Sequence, residues 1–415
     1  MARTAKRVST GAISSDHLGA GALALCFPMH EIESVLGRCK LPSSRNRNLP
    51  KPVMVFYVIA LCLFPSVGYL EVQGWLFAGL TWLNGVPFCG CAKSAFSYAR
   101  TKLGSEAIRM IHKELARPLA NKQLRGSYWN GFHLVAIDGS TLALQDTKAN
   151  ARKFGRSSNQ NGKGAWPMAR FVALVEVGTH IVFEAVLAGY KSSEITLAGK
   201  LVEHLRPGML CLADRLFPGY WLWKKAAATG CALVWRAKVS LPLELVRPLS
   251  DGTWLARWYP NEKDRRKHKA ESQLVRVVEY KLRRKAGKAG SEGEETYRLI
   301  TTILEPEAAK ATDLAGLYPQ RWEIELTFKE IKCVLRGTAV TLRSKTPDLV
   351  KQEFWALLLA HYAMRKMIAH AAADRDMDPD IISCKGAVEI IKMTLAGAPL
   401  LFPPRAEAGS DEEND

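Results

Sequence analysis

Apolar positions along this chain change their period twice. Up to about residue 125 they recur at helical spacing. A run over Val53–Val67 is followed by a helical pair around Tyr69–Leu83 and Lys93–Leu103, with a turn at Asn84-Gly-Val-Pro87. The first run is about 15 residues, too short to span a bilayer. It contains Pro65 and soon meets Glu71 and Gln73, so it predicts a buried helix. From residue 134 short apolar or alternating runs take over. Leu134–Ile137, Arg170–Glu176, His180–Leu187, Met209–Ala213 and Cys231–Arg236 read as strands. Glu194–Leu205 and Leu216–Ala227 read as helices between them. Two more strand-like segments, Gln273–Leu282 and Thr296–Leu304, are bounded by the basic or Gly-rich turns Lys263–Lys269 and Arg283–Gly290. Helical spacing returns around Tyr318, and a long amphipathic helix is predicted over Asp348–Ala373, its run Phe354–Ala360 packed on the core.

These shifts divide the chain into a helical N-terminal region (1–125), an α/β region (126–237 and 305–400), a β-rich insertion (238–304) and an acidic tail (401–415). Residues 1–20 read as poorly ordered, and the tail as solvated. With 58 Lys and Arg against 40 Asp and Glu, the net charge is +18, yet 48% of residues are hydrophobic. A folded chain with this balance predicts a polyanion partner, without choosing DNA over RNA. Nine cysteines are scattered, only Cys89 and Cys91 lying close together. They predict no zinc site and suit reduced thiols in a cytosolic protein. No signal-peptide pattern opens the chain, and no Gly-x-Gly-x-x-Gly follows an early strand, which disfavours a dinucleotide enzyme.

The chemistry concentrates in Tyr318-Pro-Gln-Arg321-Trp-Glu-Ile-Glu325-Leu-Thr-Phe-Lys-Glu-Ile-Lys332. At about 100° per residue Tyr318, Arg321, Glu325 and Lys332 fall within about 60° of one another on a single helix, and Ile324, Phe328, Ile331 and Leu335 on the adjoining, buried stripe. Arg321 and Glu325 alone equally suit an ordinary i, i+4 ion pair. Two further acids stand just past apolar runs: Asp138, after Leu134–Ile137, and Asp214, after Met209–Ala213. Open α/β folds place ligands at such strand ends, although a turn or helix-cap Asp is the common alternative. Three acids so placed can converge on a pair of divalent cations, and hard oxygen ligands suit Mg²⁺. Asp146 and Glu323 lie near enough to compete for those roles by position alone.

On these residues the chain resembles the DDE transposases of bacterial insertion sequences, in particular the insertion element 4 family. Tyr318, Arg321, Glu325 and Lys332 match its Tyr–x2–Arg–x3–Glu–x6–Lys signature without a gap. Ile137-Asp-Gly-Ser-Thr141 matches the element around its first acid, and Asp214-Arg-Leu-Phe217 that around its second. The likeness runs from about residue 30 to about 400. It implies a ribonuclease-H-like mixed sheet flanked by helices, with a β-rich insertion before the third acid and a helical N-terminal DNA-binding domain. It implies that Asp138, Asp214 and Glu325 ligate two Mg²⁺ ions, with Mn²⁺ able to substitute. Tyr318, Arg321, Lys332 and, more weakly, Arg215 would grip phosphates. The implied partners are double-stranded DNA, both element ends and target, and a second copy of the chain, in the bacterial cytoplasm at the nucleoid and with no membrane. Trp235, Trp254 and Trp258 are candidates to stack on a base, as core tryptophans also would be spaced. Ser94, Tyr98, Arg100 and Lys102 are candidates for DNA contact, as are Arg365 and Lys366. A non-catalytic DNA-binding descendant, or a ribonuclease-H-like nuclease without strand transfer, remains open.

Overall fold

The computed structural model of the protein describes residues 19–39, 49–84, 91–159, 162–266, 271–284, 293–337 and 339–395. The residues Gly85–Pro87 of the expected turn, the first 18 residues, the acidic tail, and Lys267–Lys269 and Lys285–Gly290 of the two basic turns lie outside these.

Five helices come first: α1 (Gly19–Cys26), α2 (Met29–Arg38), α3 (Lys51–Leu63), α4 (Tyr69–Asn84) and α5 (Lys93–Leu115). α3 is apolar on all sides, and Pro52 to Leu63 are all buried, as an all-round hydrophobic helix requires. α5 is bent where Gly104 takes φ +72°, a conformation open to a residue without Cβ. No helix among the described residues is long and apolar enough to cross a membrane.

The sheet region runs β1 (Tyr128–Trp129), β2 (Phe132–Ala143), α6 (Lys148–Phe154), β3 (Arg156–Asn159), β4 (Gly162–Glu176), β5 (Val182–Gly189), α7 (Glu194–Leu201), β6 (Met209–Ala213), α8 (Tyr220–Ala227) and β7 (Ala232–Ala237). It continues with β8 (Glu244–Pro248), β9 (Trp254–Trp258), α9 (Glu262–Arg266), β10 (Gln273–Arg284) and β11 (Gly293–Thr301). β2, β4 and β5 pair antiparallel in sequence, while β6 and β7 run parallel to β2 on its other side. The spatial order β5-β4-β2-β6-β7, first three strands antiparallel and the rest parallel to the first, is the ribonuclease-H-like arrangement. β6 is buried along most of its length and reads as an unbroken apolar run, as a central parallel strand covered on both faces must. Beyond β7 the sheet does not stop. β11 pairs with β7, then β10, β9 and β8 follow, all antiparallel. The strands between the second and third acids therefore extend the same sheet.

The chain then forms α10 (Ala311–Leu317), a 3₁₀ turn over Tyr318–Arg321, α11 (Trp322–Lys329), a π-helical segment over Glu330–Leu335, α12 (Pro347–Ala373) and α13 (Cys384–Leu395). Register fixes which face each helix covers. Asp138 pairs with Ala173 and so shares a face with Phe171, whose ring packs on Phe328 of α11 and Phe354 of α12. Gly139 faces the other way, towards Glu194 at the start of α7. A Cβ on Gly139 would lie 2.8 Å from the Glu194 carboxyl carbon, so glycine belongs there.

The N-terminal helices share one apolar core with the sheet, continuous from Leu23 to Ile391. Polar ties lock that junction. The buried guanidinium of Arg100 in α5 donates to Gln352 Oε1 (3.1 Å) and Ser344 Oγ (3.3 Å). Buried Glu176 of β4 accepts from the Leu119 and Ala120 N–H groups, 2.9 Å each, and from Thr179.

Candidate active site

The parallel pairing of β2 with β6 ends at Ile137↔Ala213, and the next residue on each strand is an acid. Asp138 and Asp214 thus stand side by side where the strands part. Asp138 is not past the end of its strand, as the apolar run suggested: β2 continues to Ala143 because β4 still pairs with it through Met168. Each carboxylate accepts a hydrogen bond from the next backbone N–H, Gly139 at 2.7 Å and Arg215 at 2.5 Å.

Glu325 enters from α11, and Arg321 links it to Asp138. Arg321 Nη2 donates to Glu325 Oε1 at 2.9 Å, and Nη1 stands 3.7 Å from Asp138 Oδ2. The arginine end of the i, i+4 pair is buried, its side chain only 6% exposed, while Glu325 at 41% reaches solvent. Burial pushes the Asp138 carboxyl up to about 6, with Asp214 and Glu325 adding to it against the pull of the Gly139 N–H and Arg321. A buried carboxyl surrounded by two more acids is a site with surplus negative charge and hard oxygen donors, which fits a small divalent cation.

The rest of the signature closes in around these acids. The Tyr318 hydroxyl lies 3.4 Å from the Ala213 carbonyl, one residue before Asp214, and burial holds it above the ordinary phenol range. Its ring meets the edge of Tyr297 on β11, over which Arg236 of β7 stacks at 3.8 Å. The strands beyond β7 therefore buttress Tyr318. Lys332 Nζ donates to Ser140 Oγ at 2.9 Å, two residues beyond Asp138. The four signature residues do not share one regular α-helix, as their spacing implied. The winding tightens over Tyr318–Arg321 and loosens to a π-helix over Glu330–Leu335. Ile324, Phe328, Ile331 and Leu335 are buried as expected. Tyr318 and Arg321 are buried, Arg215 is exposed, and Arg321 Nε and Nη1 have no hydrogen-bond partner.

Several sequence candidates lie elsewhere. Asp146 pairs with Arg156, and Glu323 with His180, so neither competes with the triad. Arg100 and Arg365 are buried in internal networks and cannot line a solvent face, while Ser94, Tyr98 and Lys102 remain exposed. Trp235 and Trp258 are core residues packed on Trp223; Trp254 is partly buried.

A second polar cluster escaped the sequence reading. His180 Nε2 lies 2.9 Å from Glu323 Oε2 and 3.3 Å from Asp380 Oδ1, and its Nδ1 lies 2.9 Å from Glu330 Oε1. Glu330 also binds Arg365 and His361. Burial alone would raise Glu330, but hydrogen bonds from His180 and His361, with Arg365, hold it well below the usual carboxylate range. His180 lies about 140 residues from Glu323, and no local spacing announces such a meeting.

The sheet order, with two acids where β2 and β6 part and a third on α11, is that of a ribonuclease-H-like α/β protein. Comparison with known proteins gives the family. The chain belongs to the DDE transposases of the insertion element 4 type: a transposase DDE domain family model matches residues 129–363, and an insertion element 4 transposase N-terminal model matches residues 17–113. It is 28% identical over 374 residues to the transposase InsG for insertion sequence element IS4 of Escherichia coli K12, covering 88% of this chain and 82% of that one. A putative transposase, InsZ, of the same organism is 30% identical over 169 residues, 39% of this chain and 56% of that one. Among solved structures, a piggyBac transposase synaptic complex with hairpin DNA aligns over 91% of this chain and 80% of that one, with TM-score 0.45 and 10% identity.

Proposed function

We propose that this transposase cuts the ends of its insertion sequence and joins the freed 3′-OH to target DNA, with Asp138, Asp214 and Glu325 as the catalytic acids and ligands of two Mg²⁺ ions. The observation that carries this reading is the convergence of Arg321 on Asp138 and Glu325, beside an Asp214 that extends the strand neighbouring β2. When bound, such ions activate a nucleophile and stabilise the attacking and leaving oxygens of an in-line displacement. Arg321 bridges two of the acids and neutralises part of their repulsion before DNA arrives. Its Nε, which has no hydrogen-bond partner, is a donor suited to a non-bridging phosphate oxygen. Lys332 supplies a point charge beside Ser140, and exposed Arg215 a second one beside Asp214. Tyr318 sets the Asp214 loop from behind and completes the phosphate-binding group. Ser94, Tyr98 and Lys102 on exposed turns of α5 suit contact with element ends, and two protomers would handle the two ends. The acidic partner expected from the +18 charge is, on this reading, duplex DNA in the bacterial cytoplasm.

The test is end-specific nicking of labelled duplexes carrying the inverted repeats that flank the gene, with Mg²⁺. Wild type should nick at the element boundary. Asp138→Asn, Asp214→Asn and Glu325→Gln should each bind the duplex and fail to cut. Cutting that survives in any one of the three would remove that acid from the assignment.

A further inference from the structure

Glu323 and Glu325 lie two residues apart on α11 and so face opposite ways. Glu325 faces the triad, while Glu323 meets His180 and Asp380 behind the helix. The ligand atoms of His180, Glu323 and Asp380 lie within 4.8 Å of one another, and no other trio among the described residues does so. We propose that these three side chains bind one divalent transition-metal ion of the Zn²⁺ type, a site separate from the catalytic acids, which pins the back of α11 to the turn after β4 and to the segment Pro379–Ile381.

Four observations carry this. First, two carboxylates aim at one ring nitrogen, Nε2, which offers at most one proton. A cation satisfies both. Second, the ligand atoms are nearly spaced for a metal. Ligand atoms about 2.0–2.2 Å from a tetrahedral ion stand about 3.3–3.6 Å apart; Nε2 is 3.3 Å from Asp380 and, at hydrogen-bond distance, 2.9 Å from Glu323, a contact the ion would open by about half an ångström. Third, the outer partners are in place. Metal-bound histidines usually present the other ring nitrogen to a carboxylate, and Nδ1 of His180 faces Glu330, with the Arg365 guanidinium, which binds that carboxylate, also against it; His361 holds Glu330 at 2.9 Å. Fourth, His180 takes φ +60° in the tight turn between β4 and β5. Few residues other than glycine adopt that backbone, and here it carries a 98%-buried ring towards Glu323. The Asp380 side chain is 38% exposed, which leaves water access to a fourth position. One imidazole with carboxylates favours zinc-like over magnesium-like ions.

The experiment uses the full chain stripped of metal, dialysed against Zn²⁺ with Mg²⁺ in excess, and metal content read by mass spectrometry. Wild type and Asp138→Asn should each retain about one Zn²⁺ tightly. Asp380→Asn, at a solvent-accessible position, and Glu323→Gln should bind at least roughly tenfold more weakly. Zn²⁺ should raise the melting temperature of wild type but not of Asp380→Asn. A wild type that retains no Zn²⁺, an Asp380→Asn chain that binds as tightly, or loss of the ion in Asp138→Asn alone would overturn the proposal. DNA does not enter this readout, so the outcome is independent of the proposed cutting and joining.

Discussion

Asp138 bears the electrostatic cost of the site. Its carboxyl is 18% exposed and is pushed up to about 6 by burial and by two neighbouring acids. An acid whose folded-state affinity for its proton is raised takes up a proton on folding between its ordinary value, about 3.9, and about 6. Stability is therefore lost as pH rises through that window, and the full penalty is present above it. In metal-free protein Asp138→Asn should be neutral near pH 3.5 and stabilising above pH 6, by on the order of 2–3 kcal/mol. Urea unfolding across that range checks it. An equal effect at both pH values would mean that Asp138 is not desolvated. Lys332 supports a second prediction at this scale. Lys332→Ala should weaken binding uniformly across DNA sequences and lower the salt slope of binding by about 1, measured by titration at several salt concentrations. An unchanged slope would take Lys332 off the phosphate.

At the scale of elements, much was legible, and the misreadings arise where partners or winding depart from the local pattern. The long helix α12, the second half of β4 and the strands β5 to β7 follow from apolar period, because burial on one or both faces is a local property of the pattern. β2 was read short because Asp138, Gly139 and Ser140 break the apolar run, yet β4 pairs with them regardless. The winding around Glu325 was misread because periodicity assumes one helix type, and a π segment displaces every later side chain. Trp235 shows the same limit. Strand spacing left open whether it stacks on a base or packs inside, and the structure buries it edge-on against Trp223. Trp235→Ala should cost about 3–5 kcal/mol of stability, read by denaturant unfolding, with DNA affinity unchanged once the protein is folded. A fall in affinity without a fall in stability would restore the stacking role.

At the scale of the molecule, the meeting of Asp138, Asp214 and Glu325 followed from short local motifs, two after apolar runs and one in a spaced signature. The buried network of His180, Glu330, His361 and Arg365 was not, because it joins three segments, the β4–β5 turn, the π segment and α12, that only the fold brings together. Arg100 and Arg365 misled for the same reason: in sequence a basic residue on a helix looks solvated until its partner from another segment is known. Because Arg100 binds Gln352 and Ser344 across the shared core, the N-terminal helices and the sheet should unfold together. Calorimetry should give one transition, and deletion of residues 1–115 should leave a chain that aggregates through the uncovered face of α12. Two well-separated transitions would show instead that the regions fold independently.

The central claim is that the acids at the parting of β2 and β6, completed by α11, join DNA as well as cut it. It is tested most directly with a pre-cut element end bearing a free 3′-OH, incubated with wild-type protein, Mg²⁺ and a supercoiled plasmid. The account predicts covalent joining of the end to the plasmid, abolished by a 3′-dideoxy terminus and reduced at least roughly a thousandfold in Glu325→Gln, as loss of several kcal/mol of transition-state stabilisation requires. Joining by Glu325→Gln at the wild-type rate, or nicking of uncut ends by wild type with no joining of the pre-cut end, would contradict it.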